Sequence, residues 1–141
     1  MIYLLDTNVL SETMKPRPAA EIAAWMRAQP LRSLFTAAIC QAEILAGIAI
    51  MPQGRRRAEL EAMAQAIFSQ DFDARILPFD AKAANAYAEL FAIRRQIGRP
   101  IETPDLIVAA TARAHSAAVV TRDTGGFEGC GLNLINPWEV A

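Results

Sequence analysis

The 141 residues are enough for one domain with a full hydrophobic core and too few for two, so we expect a single domain over 1–141. Hydrophobic residues make up 53% of the chain and charged residues 21%, which is typical of a globular protein and argues against disorder. The formal net charge of -1 excludes a global basic field, so any contact with a polyanion must be local or carried by metal.

The first predicted strand is an apolar run over residues 2–5, which Asp6, Thr7 and Asn8 cut off. Such a run, closed by cap and turn residues, is typical of a buried strand that leads into a helix, here over 8–15. Asp6 is thereby placed at the carboxyl end of the strand. In open α/β sheets ligands bind at that edge, because strand ends and helix N-termini meet there.

Further apolar runs and helical periodicities alternate along the rest of the chain. The other predicted strands cover residues 33–37, 75–79, 117–121 and 132–135. The other predicted helices cover residues 19–29, 39–51, 55–70, 81–97 and 106–115. Strands that alternate with helices predict an α/β fold with a mostly parallel sheet and helices on both faces.

Capping residues and prolines sharpen three of these boundaries. Asp80 suits the N-cap of the fifth helix, and Thr103 suits the N-cap of the sixth, with Pro104 as its first helical position. Pro78 has no backbone N–H to donate, so it should confine the third strand to its own end or to an edge of the sheet.

The cysteines and the apolar segments indicate the cellular setting. Cys40 and Cys130 lie far apart and lack metal-ligand spacing, so reduced thiols are expected. The N-terminus has neither the basic region nor the cleavage site of a signal peptide. The apolar segment 37–51 is interrupted by Gln41 and Glu43 and is too short to span a bilayer. We therefore expect a cytoplasmic protein with no membrane contact.

Four acidic side chains are expected at the carboxyl edge of the sheet. Asp6 follows the first strand, and Glu43 lies early in the helix after the second strand. Asp105 lies in the first turn of the sixth helix, and Asp123 follows the fourth strand. Asp105 lies where the helix dipole favours a negative charge, so it should stay ionised near neutral pH. Glu43 stands on an apolar helix, where a glutamate is seldom buried unless it is paired, and no Lys or Arg lies one turn away.

A cluster of four carboxylates is tolerated when a divalent cation neutralises the repulsion between them. Oxygen ligands without His or Cys favour Mg2+ or Mn2+. A metal of this kind lowers the pKa of a bound water and orients it toward a phosphodiester, so the residues predict metal-assisted phosphoryl transfer. Basic residues near the acids are candidates to hold the substrate's phosphate backbone: Arg99, Arg122, Arg94 and Arg95.

Four segments together closely resemble the PIN-domain ribonucleases, in particular the VapC-type toxins of type II toxin–antitoxin pairs. They are LLDTNVLSE, the glutamate in QAEILAG, PDLIVAATA and TRDTGGFEGCGLNLINPW, and they cover nearly the whole chain in the right order. The resemblance implies a three-layer α/β/α sandwich, Mg2+-dependent endonucleolytic cleavage of RNA and a homodimer. It also implies a small antitoxin that blocks the site and binds operator DNA.

The same resemblance implies roles for individual residues. An acidic quartet is implied, made of Asp6, Glu43, Asp105 and Asp123. Three polar residues are implied to support it: Thr7, Asn8 and Thr121. One position departs from the family pattern, since relatives often show Asn in place of Asp123 and an acid in place of Gly126. The quartet is then completed through Asp123, because Glu128 lies past Phe127, too far along the loop.

Each acid also has an ordinary structural interpretation. Asp6 suits a turn and cap, Asp105 the helix dipole, and Asp123 a polar turn. Glu43 reaches solvent if the edge of its helix is exposed. The coincidence of all four at one edge favours a site.

Two other classes of function were weighed. A phosphotransfer receiver domain needs adjacent acids near the end of the first strand and a lysine after the last, and neither is present. A non-catalytic PIN-fold partner protein that acts through an antitoxin-bound DNA complex stays open. Metal-dependent RNA cleavage by the purified protein separates that class from the enzyme.

Overall fold

The computed structural model describes residues 1–139, which contain five strands and six α-helices. The strands are β1 (Ile2–Leu5), β2 (Leu34–Ala37), β3 (Ile76–Leu77), β4 (Ala117–Val120) and β5 (Leu134–Ile135). The helices are α1 (Thr7–Thr13), α2 (Ala20–Arg27), α3 (Ala38–Ala49), α4 (Arg55–Ala66), α5 (Ala81–Gln96) and α6 (Thr103–Ala114). Every predicted strand and helix is therefore present, with boundaries that differ by a few residues.

All five strands are parallel, in the order β3-β2-β1-β4-β5. β1 is central, and its Leu4 lies opposite Phe35 of β2 on one side and Val119 of β4 on the other. From β1 the chain steps outward to β2 and β3, and then returns past β1 to β4 and β5. Because βαβ crossovers are right-handed, the two directions place α1 to α4 on one face and α5 and α6 on the other. The predicted α/β fold with three α/β/α layers is confirmed.

Caps and prolines account for several of the boundaries. Asp80 caps α5 as predicted, because its carboxylate accepts a backbone N–H of the first turn at 2.9 Å. β3 is an edge strand of two residues and ends directly before Pro78, also as predicted. The predicted N-cap Thr103 is wrong. The N–H of Leu106 donates to the carbonyl of Glu102 at 2.9 Å, so Glu102 is the cap and Thr103 the first helical residue.

The core lies between the sheet and its two helical layers. β4 is buried along its whole length, as expected for a parallel strand covered on both faces. α6 is buried over most of its surface against α5 and β4. By contrast α3 buries only Cys40, Ile44 and Ile48, although its sequence is apolar nearly all round. The predicted helix over 55–70 is divided, since α4 gives way to one π-helical turn at Ile67–Asp71.

No helix within residues 1–139 is both long enough and apolar enough to cross a membrane.

Candidate active site

The strand order reverses between β1 and β4, since the chain leaves these neighbours in opposite directions along the sheet. A crevice forms at the carboxyl ends of the strands at such a switch point, and ligands of α/β proteins bind there. Here it is a cavity of about 440 Å³, lined by Asp6, Thr7, Asn8, Ser11, Glu12, Lys15, Glu43, Asp105, Arg122 and Trp138. The structure thus brings Asp6, Glu43 and Asp105 together around one cavity, and Asp123 lies on the adjoining loop.

Asp6 is held by the end of β1 and the start of α1, and only 6% of its surface is exposed. Its Oδ1 accepts the N–H of Thr7 at 2.8 Å, which caps α1. Its Oδ2 accepts the hydroxyl of Thr121 at 2.9 Å. Burial raises the pKa of Asp6, and these two hydrogen bonds offset part of that rise. Asp6 is therefore a helix cap and a wall of the cavity at the same time.

Thr121 joins the two strand ends at the switch point and is fully buried. Its hydroxyl donates to Asp6 and accepts the side-chain amide of Asn8 at 3.1 Å and the backbone N–H of Asp123 at 3.2 Å. Asn8 in turn accepts the N–H of Arg122 at 3.2 Å through its Oδ1. One hydroxyl thus connects the acid on β1 with the acid on the loop after β4.

Glu43 lies on an exposed face of α3, and its Oε1 accepts the hydroxyl of Thr7 at 2.7 Å. The sequence left two alternatives for Glu43, a buried and paired carboxylate or one that reaches solvent, and the second is correct. α3 packs only one face on the core, so Glu43 reaches solvent and is held by a hydroxyl rather than by a cation. It still lines the cavity together with Asp6.

Asp105 lies in the first turn of α6 and is half-buried. Burial, and then the charges of Asp6, Asp123 and Glu43, raise the pKa of Asp105 to about 6. Burial and repulsion thus outweigh the helix dipole, which alone would lower the pKa. The carboxyl is ionised at neutral pH, as expected, but it takes up a proton just below neutrality. The other three acids are thus close enough to Asp105 to act on it electrostatically.

Asp123 follows β4 on a loop that forms a 3-10 helical turn at Thr124–Phe127. Its side chain is exposed, and its Oδ1 accepts the N–H of Gly126 at 3.2 Å, which caps that turn. Its charge raises the pKa of both Asp6 and Asp105. Asp123 therefore belongs to the same electrostatic cluster, although it stands beside the cavity rather than in its wall.

The acids of the cavity offer only oxygen donors. In the part of the chain that the structure describes, no three acidic, His or Cys side chains converge tightly enough to hold an ion by themselves. Carboxylates that lie near one another repel, and a divalent cation among them would offset that repulsion. Mg2+ fits such an open set, because it keeps several waters and takes one or two carboxylates from a protein.

Two features of the cavity wall were not predicted from the sequence. Glu12 is buried and accepts hydrogen bonds from Lys15 Nζ and from a backbone N–H, each at 3.0 Å, and the bond from Lys15 lowers the pKa of Glu12. The guanidinium of Arg122 lies 4.8 Å from the ring centroid of Trp138. Glu12 lies one helical turn after Asn8, and this spacing could have placed Glu12 beside the site. No local pattern in the sequence relates Arg122 to Trp138.

The arginines predicted to hold a phosphate backbone differ in their surroundings. Arg122 is exposed on the rim of the cavity. Arg99 is exposed too, and it donates to the carbonyl of Gly125 at 3.1 Å and to the carboxylate of Glu128 at 3.2 Å. Arg94 is only 4% exposed and donates to backbone carbonyls, so its predicted phosphate contact is wrong.

This chain is similar to known proteins both in sequence and in fold. The PIN domain family model matches residues 3–129. The plasmid stability protein StbB of Pseudomonas syringae pv. tomato is 46% identical over 98% of this chain and 99% of its own. The VapC ribonuclease Y4jK of Sinorhizobium fredii is 43% identical over 99% of this chain and 100% of its own.

A solved structure of FitAB bound to an IR36 DNA fragment matches with a TM-score of 0.92 at 36% identity, covering 99% of this chain and 98% of the other. Both the sequence matches and the fold therefore extend over almost the whole chain. The chain belongs to the PIN-domain family, as its resemblance to the VapC-type toxins implied.

Proposed function

We propose that the protein is a metal-dependent endoribonuclease that acts as the toxin of a toxin–antitoxin pair. The observation that carries the proposal is the cluster of four mutually repelling carboxylates at the switch point, which helps to raise the pKa of Asp105 to about 6. The relative named a VapC ribonuclease supports the same class of activity.

Mg2+ is the proposed cofactor, with Mn2+ as a substitute. The proposed ligands, direct or through water, are Asp6, Glu43, Asp105 and Asp123. When bound, the ion would supply a water of lowered pKa and would stabilise the negative charge that builds on the phosphodiester. The chain contributes orientation, because Thr121 fixes Asp6 and Thr7 fixes Glu43 before any ion arrives.

The proposed substrate is RNA, held along its phosphate backbone by Arg122 and Arg99. The guanidinium of Arg122 is oriented by the indole of Trp138 on the rim of the acidic cavity. A guanidinium that stacks through its face keeps its edge donors for a phosphate. Arg99 is half exposed beside Glu128, at the far side of the loop after β4.

A cognate antitoxin is the proposed protein partner. A largely apolar groove of about 270 Å³ between α1, α3 and α4 adjoins the acidic cavity and shares Thr7, Lys15 and Glu43 with it. An amphipathic antitoxin segment bound in this groove would bring its own arginine or lysine side chain within reach of the carboxylates of the acidic cavity. We propose that contact with DNA is indirect, through this antitoxin, and the FitAB structure with its DNA fragment supports such an arrangement.

A second copy of the chain is the other proposed partner. Two exposed aromatic side chains, Phe79 and Phe91, both stack on the ring of Tyr87 and so form one apolar face at α5. Apolar surface of this kind marks interaction sites, because covering it removes it from water. We therefore propose a homodimer that covers this face.

Cleavage of single-stranded RNA by the purified protein tests the proposed activity. Mg2+ or Mn2+ should support cleavage, and excess EDTA should abolish it. Asp6→Asn should abolish cleavage and the growth arrest caused by expression, while the exposed Asp73→Asn is the matched control and should change neither. A non-catalytic partner protein would show no cleavage with any metal. Undiminished cleavage in excess chelator would refute the metal mechanism.

A further inference from the structure

We propose that Arg94 and Gly126 are positioning residues that set the place of the Asp123 carboxylate beside the acidic cavity. Both residues lie outside the cavity wall, so they act through Asp123 rather than on a substrate. The inference rests on the proposed function in one respect, since it takes Asp123 to be part of a metal site.

Arg94 is a buried cation that joins two loops. Its Nε donates to the carbonyl of Arg99 at 2.6 Å, and its Nη1 donates to the carbonyls of Gly126 and Glu128, both at 2.8 Å. Within residues 1–139 these partners are backbone carbonyls and the Sγ of Cys130 at 3.7 Å, not a carboxylate. A guanidinium stays charged when buried, so its desolvation must be offset by such fixed dipoles. Arg94 therefore holds the loop that leads to α6 against the loop that carries Asp123.

Gly126 stands between Arg94 and Asp123. Its carbonyl accepts from Arg94, and its N–H donates to Asp123 Oδ1 at 3.2 Å. A Cβ at this position would lie 2.6 Å from Asp123 Oδ2, which is closer than real Cβ contacts come. The backbone of Gly126 does not have a positive φ, so proximity to the carboxylate, not conformation, requires a glycine here. Arg94 holds Gly126, and Gly126 in turn holds Asp123, so these two contacts together determine where the Asp123 carboxylate lies.

The adjacent glycines provide a matched pair of variants. Gly126→Ala must displace the Asp123 carboxylate, which is the mobile end of a side chain, so the fold itself should be little affected. A Cβ at Gly125 meets no atom within 4 Å, and its φ is not positive either. We expect Gly126→Ala to weaken the binding of Mn2+ by about tenfold or more, measured by electron paramagnetic resonance without RNA. Gly125→Ala should keep the wild-type affinity.

Substitutions of Arg94 test the contact between Arg94 and the carbonyl of Gly126. Arg94→Met should weaken Mn2+ binding and speed amide hydrogen exchange over residues 124–130, while exchange in β1 stays slow. Arg94→Lys keeps the charge and part of the donor set, so it should recover part of the affinity. Arg113→Met, at an exposed arginine of α6, is the control and should leave both measurements unchanged.

Three outcomes decide the proposal. Folded Gly126→Ala with wild-type Mn2+ affinity would overturn it, and so would an equal loss in Gly125→Ala. If wild-type protein bound no Mn2+, the proposed metal chemistry would fail instead. The positioning is then tested in the metal-free protein by the carbon-13 shift of the Asp123 carboxylate, which only Gly126→Ala and Arg94→Met should move. If Arg94→Met does not fold, the glycine pair gives the answer alone.

Discussion

The two ends of the acidic site are held in different ways. Asp6 follows the central strand of the sheet, is almost fully buried, and has both carboxylate oxygens engaged by Thr7 and Thr121. Asp123 is exposed on a loop that is tied to its surroundings by the buried Arg94, by Arg99 and by the buried side chain of Phe127. The sheet end should therefore respond to mutation in stability as well as in activity. The loop end should respond mainly in activity.

After the loss of cleavage expected for Asp6→Asn, the next largest effect is expected at the loop end. Asp123→Ala should lower RNA cleavage by about 10- to 100-fold, as the loss of a metal ligand or of its supporting partner commonly does. Asp123→Asn should be intermediate, because an amide oxygen still accepts a hydrogen bond from metal-bound water but adds no charge. Glu128→Ala is the control and should leave cleavage nearly intact. If it proved the more damaging change in folded protein, the fourth acid of the site would be misassigned.

At the sheet end, Thr121→Val should reduce the free energy of unfolding by about 3 kcal/mol. It removes a hydrogen bond from the buried Asp6 carboxylate, and such a loss costs about 1–3 kcal/mol or more for a charged group. It also removes the partner of the Asn8 amide and of the Asp123 N–H, which are closer to water and add less. Cleavage should fall with it, because the pKa of Asp6 rises. Thr121→Ser keeps the hydroxyl, so it should lose less stability and less cleavage activity than Thr121→Val. Urea denaturation that gave equal stabilities for the two variants would contradict this role.

Burial of Asp105 and its repulsion by the other acids predict that the stability of the protein depends on pH. The pKa of Asp105 is about 6 in the folded protein and ordinarily 3.8, so the folded state holds this proton more tightly than the unfolded state. Stability of the metal-free protein is therefore lost as pH rises from about 4 through 6. Asp105→Asn should raise the Tm at about pH 7.5 and change it much less at about pH 4. A Tm difference that is the same at both pH values would contradict the raised pKa of Asp105.

The smallest effect is expected at Arg122, whose backbone is bound to the sheet end and whose side chain stands on the rim. Arg122→Met should weaken the binding of single-stranded RNA in EDTA several-fold. The slope of log K against log salt should decrease by about 0.7, the value for one phosphate contact on a single strand. Arg113→Met serves as the comparison. An unchanged slope for Arg122→Met would remove this arginine from the RNA interface.

The close contact between Gly126 and Asp123 also explains the departure from the family pattern at position 126. A Cβ at Gly126 would collide with the Asp123 carboxylate, so an acid at 126 and this placement of Asp123 exclude each other. The resemblance to the family implied that an acid common in relatives is missing at 126 and that Asp123 completes the quartet. The reason that the two alternatives do not coexist lies in the close contact across the turn.

The fold and the places of the acids along the chain were predictable because they depend on local chemistry. Apolar runs and helical periodicity define the strands and helices, and Asp80 and Pro78 terminate elements wherever they occur. Parallel strands end at one edge, so acids that follow Ile2–Leu5 and Ala117–Val120 are bound to meet there. By itself, then, the sequence determined the order of the elements and the edge at which the four carboxylates gather.

Tertiary structure alone decided which side chains are buried around that edge. Arg94 has the local sequence of a surface arginine, yet it is enclosed because two loops fold over α5. Glu43 has the local sequence of a buried residue, yet it is exposed because only one face of α3 meets the core. Arg122 and Trp138 meet only because the segment that follows β5 lies beside the switch point. Such contacts join residues far apart in sequence, and their burial depends on how whole elements pack, which local propensity and spacing do not encode.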